Sequence, residues 1–150
     1  MTLTFSADEP GHGGSLRVAL DVRPALSRPT GVGVYIASLA GALPRIDPGS
    51  RFTLFTSSAR DRWPSVETAV NVEIIDRRIP VRALNFAWNR LSWPPIEAVC
   101  GREFDIVHSP HPLLIPARRA RRLITIHDLF FLKHPELTMG EIRRDYVPLV

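Results

Sequence analysis

Cysteine and lysine are almost missing from this chain. Cys100 is the single thiol, so no internal disulfide can form and the sequence suits a reducing compartment; beside Ala98 and Val99 it reads as a small buried hydrophobe. Lys133 is the single lysine, which leaves a formal net charge of +4 carried by arginine. Those arginines are dispersed except at Arg118-Arg119-Ala120-Arg121-Arg122, and no aromatics interleave with that cluster, so no nucleic-acid surface is expected. No apolar run approaches the roughly 20 residues of a membrane helix. Met1 to Ser15 has neither the basic start nor the apolar stretch of a signal peptide, and a cytoplasmic protein is the simplest expectation. Gly-Lys-Ser and Gly-Lys-Thr do not occur, which excludes a P-loop.

What is present fits one domain. At 150 residues and 45% hydrophobic content, a real core can form and neither a disordered chain nor a coiled coil is favoured. Residues 1–15, with Gly11-His12-Gly13-Gly14, read as a flexible tail; no strand precedes those glycines, so they are not taken as a phosphate loop. Strands are expected at Leu16–Asp21, Arg51–Thr56, Val70–Ile75 and Phe104–Ser109. A fifth, at Leu123–Leu129, is an apolar run ending in His127-Asp128 and reads as a buried parallel strand. Gly31-Val32-Gly33 opens an apolar helical face of Val34, Tyr35, Ile36, Leu39, Ala40 and Leu43, with Pro44 expected to end the helix. A second helix is expected from Val81, Leu84, Trp88 and Leu91, broken at Pro94-Pro95, with a further turn or two over Ile96–Cys100 and its aromatics expected to cover the sheet. The polar stretch Ser57–Thr68 leaves room for a short helix, and the capping-box spacing of Thr138 and Glu141 predicts another near the end. Alternating strands and helices predict an α/β, Rossmann-like, mostly parallel sheet with helices on both faces.

Two groups of residues have the chemistry of a site. Thr30-Gly31-Val32-Gly33 follows the first strand; glycines there let a phosphate approach the free N–H groups of a helix start, although a plain tight turn has comparable weight. Ile36 stands where the dinucleotide fingerprint needs a third glycine, so an ordinary NAD site is not expected. The second group is His108, His111, His127 and Asp128, which neighbouring strand ends would gather at one carboxyl edge. Two imidazoles and a carboxylate can hold zinc, but the proline-bracketed spacing of His108 and His111 is no recognised metal motif, and no metal is expected. His127 suits a general base, a partner for a hydroxyl, or a structural contact; Asp128 suits fixing its tautomer or capping a turn.

The Thr30-Gly31-Val32-Gly33 turn with Tyr35, the Asp105-Ile106-Val107-His108-Ser109-Pro110 segment, and Thr125-Ile126-His127-Asp128-Leu129 with His134-Pro135-Glu136 resemble the N-terminal half of family-4 retaining glycosyltransferases. The resemblance runs from about Leu16 to the end of the chain. It implies half of a two-domain GT-B architecture that transfers a sugar, with retention, from a nucleotide-diphosphate donor to a glycan or lipid-linked acceptor, with no metal. By position, it implies that Gly31, Val32 and Gly33 lie at the donor diphosphate, His127 near the transferred sugar with Asp128 supporting it, and His108 and His111 at the acceptor cleft. It also implies that Arg118, Arg119, Arg121 and Arg122 touch anionic headgroups in a relative acting on lipid-linked acceptors, a solvated loop being the plainer reading.

The family's second domain carries a basic pair and two glutamates eight positions apart, and this chain has no such glutamate pair. Residues 16–150 are therefore expected to be an N-terminal domain, incomplete at its C-terminal end, inactive without a donor-binding domain. Val34 is apolar where some relatives place a basic residue, which weakens the diphosphate contact from this side. The alternative is a non-catalytic α/β domain holding a phosphorylated small molecule at Gly31 and Gly33.

Overall fold

Five parallel strands pair in the order β3-β2-β1-β4-β5, where β1 is Arg17–Asp21, β2 Arg51–Ser57, β3 Val72–Arg77, β4 Ile106–Ser109 and β5 Arg121–Ile124. The structure is a computed structural model and describes residues 14–26, 31–64 and 69–127. Helix α1 (Gly31–Ile46) joins β1 to β2, while α2 (Val81–Leu91) and α3 (Ile96–Cys100) lie between β3 and β4. The predicted α/β, Rossmann-like arrangement is present.

The order explains the layers. From β1 the chain moves outward through α1 to β2 and then β3; it returns through α2 and α3 to the far side of β1. Crossovers between parallel strands share one hand, so reversing direction puts the connecting helices on opposite faces. Alternation along each strand feeds both layers. Leu20, Val22 and Leu54 pack with Ile36 and Ala40 of α1. Ala19, Phe55, Ile75 and Val107 pack with Leu84 and Trp88 of α2 and with Ile96 and Cys100 of α3. Burial pushes the Cys100 thiol up to about 12, as befits an inert core residue.

The crossover from β4 to β5 runs from Pro110 to Ala120 without a helix. Leu113 and Ile115 sink into the α2 layer, and a buried carboxylate fixes the rest. Glu97 of α3 accepts the backbone N–H of Arg118 on both oxygens, at 2.9 and 3.0 Å, and that of Arg119 at 3.4 Å. Ile96 N–H also donates to Pro116 O at 2.8 Å.

Several expected boundaries move. α1 continues through Pro44 to Ile46, because a proline in the last turn removes one hydrogen bond without blocking the residues after it, and Pro44 O is taken by the Asn71 side chain at 3.1 Å. β3 begins at Val72, not Val70, since Ala69–Asn71 form the turn whose Val72 N–H bonds Ala69 O at 2.9 Å. The largest correction concerns the last strand. It is Arg121–Ile124, it ends before Thr125, and its burial rises only at Ile124, so it is not the buried run expected over Leu123–Leu129. Register explains this: β4 offers only Ile106–Ser109, which pair with Arg121–Ile124. Two arginines of the cluster thus belong to the outermost described strand, where charge is tolerated. Residues 58–64 form no helix; residues 65–68 and the expected helix after Thr138 lie outside the described residues. Of the aromatics, Trp88 is buried, whereas Phe86 and Trp93 are exposed.

Candidate functional site

Ligands of open α/β sheets bind outside the carboxyl ends of the strands where the strand order reverses, which here is between β1 and β4. The sheet divides the residues at that edge into two groups, one on each side.

On the α2 side, β1 ends in Asp21, buried with its side chain fully shielded from solvent. The 3-10 turn at Arg23–Ala25 folds Arg23 back on it. Arg23 Nε donates to Asp21 Oδ1 at 2.8 Å and Nη2 to Oδ2 at 2.7 Å, and the Arg23 N–H donates to Oδ1 at 3.1 Å. The third nitrogen of the fork, Nη1, donates to Asn85 Oδ1 of α2 at 3.0 Å. The guanidinium lies over the Trp88 ring, 4.6 Å from its centroid. Burial alone would raise the Asp21 carboxyl; the Arg23 charge, with hydrogen bonds from His111 and Arg23, outweighs it and holds the group well below the usual carboxylate range. Asp21 is therefore an anion that only accepts, and His111 Nε2, 3.0 Å from Oδ2, must carry the proton.

On the α1 side stand His108 and His127. His108 points opposite to its buried neighbour Val107, and its Nε2 lies 3.0 Å from Thr125 Oγ1. Burial lowers its pKa, favouring a neutral ring. His127 is exposed, three residues beyond the end of β5. Its Nε2 lies 2.9 Å from Pro110 O, and a carbonyl cannot donate, so Nε2 is the protonated nitrogen. The ring meets Tyr35 edge to face, with centroids 4.9 Å apart.

Tyr35 is one helical turn from Gly31, so His127 stands against the first turns of α1. Gly31 is exposed, and a Cβ built on it meets nothing within 4 Å among the described residues. Its φ is not in the left-handed range. Neither space nor backbone requires glycine there. Val32 packs partly against the α1 layer and Gly33 is buried, so what this turn presents outward is backbone.

The predicted residues are thus brought to one edge but not to one point. His127 and the glycine turn share the α1 side with His108 beneath them, whereas His111 turns to Asp21 across the sheet; the Pro110-His111 turn links the two groups. Thr30 and Asp128 lie outside the described residues. No group of three His, Cys, Asp or Glu side chains among the described residues is placed to hold a metal. His111 and His127 are each anchored through Nε2, and neither Nδ1 makes a hydrogen bond among the described residues. Ser109 Oγ, buried at the end of β4, has no partner among the described residues, and a buried hydroxyl left so calls for one.

Asp21 and Arg23 were not singled out from the sequence. A carboxylate closing an apolar strand, with arginine two residues on, was the available signal; the third member, His111, is 90 residues away. Glu97 offered none, since its acceptance of two backbone groups depends on a loop more than 20 residues downstream. No family model, curated protein or solved structure matches the chain.

Proposed function

We propose that this chain is the acceptor-side half of a retaining glycosyltransferase, with the carboxyl edge between β1 and β4 as one wall of a sugar-binding cleft. The observation that carries the reading is the seating of His127 against Tyr35, one turn from an open Gly31. An imidazole whose Nε2 is committed to Pro110 O offers Nδ1 as an acceptor for a sugar hydroxyl. The helix start beside it offers backbone N–H groups and the positive end of the helix dipole to a diphosphate.

In this reading a second domain, in the same polypeptide or another, binds the nucleotide and brings the donor to the wall. His127 contacts the transferred sugar. His111, locked by Asp21, borders the acceptor on the α2 side, and His108 borders it on the α1 side with His127. Retention by front-face attack needs no separate protein base, which suits a histidine acting as a substrate contact. No resident metal or cofactor is required; the nucleotide sugar is substrate.

A titration of the chain with a panel of nucleotide-diphosphate sugars, followed by backbone amide resonances, tests this. Weak, fast-exchange shifts at Gly31, Gly33 and His127 are expected. Gly31→Ala should abolish them without loss of stability, since the fold leaves space for the methyl group. Tight binding by this chain alone would contradict the two-domain reading. Shifts produced equally by simple phosphorylated molecules, and indifferent to His127→Ala, would favour a phosphate-binding domain instead.

A further inference from the structure

On the α2 side of the carboxyl edge, His111 Nδ1 and Ser109 Oγ have no hydrogen-bond partner among the described residues. Ladder register brings their residues together. Leu20 of β1 pairs with His108 of β4, so the residues one step further on, Asp21 and Ser109, share the face of Ala19 and Val107. His111 follows two residues later and turns its ring back to Asp21; its side chain is 14% exposed and that of Asp21 not at all. Ser109 is 1% exposed.

The directions of the hydrogen bonds decide what each atom offers. Asp21 Oδ1 accepts from Arg23 N–H and Nε, at 3.1 and 2.8 Å, while Oδ2 accepts from Arg23 Nη2 at 2.7 Å and from His111 Nε2 at 3.0 Å. Asn85 of α2 holds the guanidinium from behind. The carboxylate cannot turn without giving up bonds at both oxygens, so Nε2 stays the donor of the ring and Nδ1 of the neutral imidazole only accepts. Ser109 Oγ both donates and accepts. Two such atoms on one face suit a molecule with more than one hydroxyl, one donating to Nδ1 and another meeting Oγ. A phosphate or carboxylate oxygen has no hydrogen to give Nδ1 and meets the Asp21 charge one ring away. The α1 side of the same edge is the opposite case, because a helix start favours anions.

We propose that Asp21 is a positioning residue: by holding His111 in the Nε2–H tautomer, it makes the α2 side of the edge a subsite for the hydroxyls of a neutral polyol and closes it to anions. The edge is thereby divided by ligand charge, with anionic groups on the α1 side and neutral hydroxyls on the α2 side. The inference rests on the sugar-cleft reading for the edge being a ligand wall, and it adds what the His111 side takes and what it refuses.

Long-range nitrogen–proton spectra of the imidazoles, recorded on the chain at about pH 8, where an ordinary imidazole is neutral, read the tautomer directly. His111 is expected as Nε2–H. Methyl α-mannoside or myo-inositol should shift its Nδ1 resonance and the Ser109 amide, whereas inorganic phosphate should not. Asp21→Asn should invert the ring: the amide oxygen stays with Arg23 N–H and Nε, the new NH2 faces His111, and the ring proton moves to Nδ1. Polyol binding should then fall about tenfold, the worth of one hydrogen bond turned into a clash of donors. Ser109→Ala removes a hydroxyl that no described residue uses, so it should keep fold and tautomer and weaken polyol binding about fivefold.

An Nδ1–H ring in the unaltered chain, phosphate shifting it as strongly as the polyols, or polyols shifting nothing would each overturn the proposal. So would a folded Asp21→Asn variant that keeps the tautomer and the affinity. If that variant does not fold, the tautomer of the unaltered chain and Ser109→Ala decide. Nucleotide sugars that leave Gly31 and His127 unshifted would defeat the transferase reading alone; polyols that leave His111 and Ser109 unshifted would defeat this one alone.

Discussion

The two ends of β1 carry the same chemistry in opposite settings. At the amino end Arg17 bonds Asp105 through Nε and Nη2, at 3.1 and 2.8 Å, with side chains 51% and 36% exposed. At the carboxyl end Arg23 grips Asp21 with the same fork, but the side chains are 2% and 0% exposed and His111 and Asn85 complete the set. Two nearly identical contacts therefore have different consequences. The exposed pair is in water whether or not it forms, so little is lost when it breaks. The buried pair has been taken out of water, and only its complete hydrogen bonding offsets that cost. The amino edge fastens β1 to β4; the carboxyl edge holds the Pro110-His111 turn rigid, and with it the carbonyl on which His127 rests.

The largest effect should follow from breaking the buried pair on one side. Arg23→Ala leaves a buried Asp21 with His111 as its one remaining side-chain partner among the described residues, and urea unfolding should show a loss of about 3–5 kcal/mol. Replacing both partners, Asp21→Leu with Arg23→Met, should recover much of that stability while freeing His111. If the double variant were as unstable as the single one, hydrogen bonding to the turn and not charge burial would be the dominant factor.

Sequence patterning could read the inner strands because burial and pairing coincide there. After their exposed first arginines, β1 and β2 are buried at every ladder position, and their expected limits differ from the observed ones by a single residue. At β5 the two separate. Arg121 and Arg122 pair with β4 yet face solvent, so an apolar run pointed too far along the chain. At the site, His127 and the glycine turn were legible from the motif, since both are short local patterns. The Asp21-Arg23-His111 group was not, because it depends on a contact that only the folded sheet creates.

An intermediate effect concerns pH. His108 has its pKa lowered by burial, so the unfolded chain takes up a proton first as pH falls below about 6.5. Its contribution is fully present above that value and is eroded as pH drops toward the folded pKa. Urea midpoints measured across this range should fall toward acid, and His108→Gln should flatten the profile in that window without altering acid unfolding at lower pH. There Asp105, held at about 2 by its hydrogen bonds from Arg17, and Asp21 lose their contributions as they protonate.

The smallest effect is expected at the amino edge. Arg17→Ala removes an exposed, salt-screened pair, and in moderate salt the urea midpoint should stay within measurement scatter. A shift comparable to that of Arg23→Ala would erase the contrast between the two ends of β1.

The most direct test of the sugar-cleft proposal is the rate of sugar transfer by the chain joined to a donor-binding domain, before and after His127→Ala. His127 is exposed and its ring makes one hydrogen bond among the described residues, so the variant should fold normally, as amide resonances of β1 and β4 would confirm. The proposal predicts a fall on the order of 100-fold, the cost of losing a contact that positions the reacting sugar. An unchanged rate in a folded variant would contradict it.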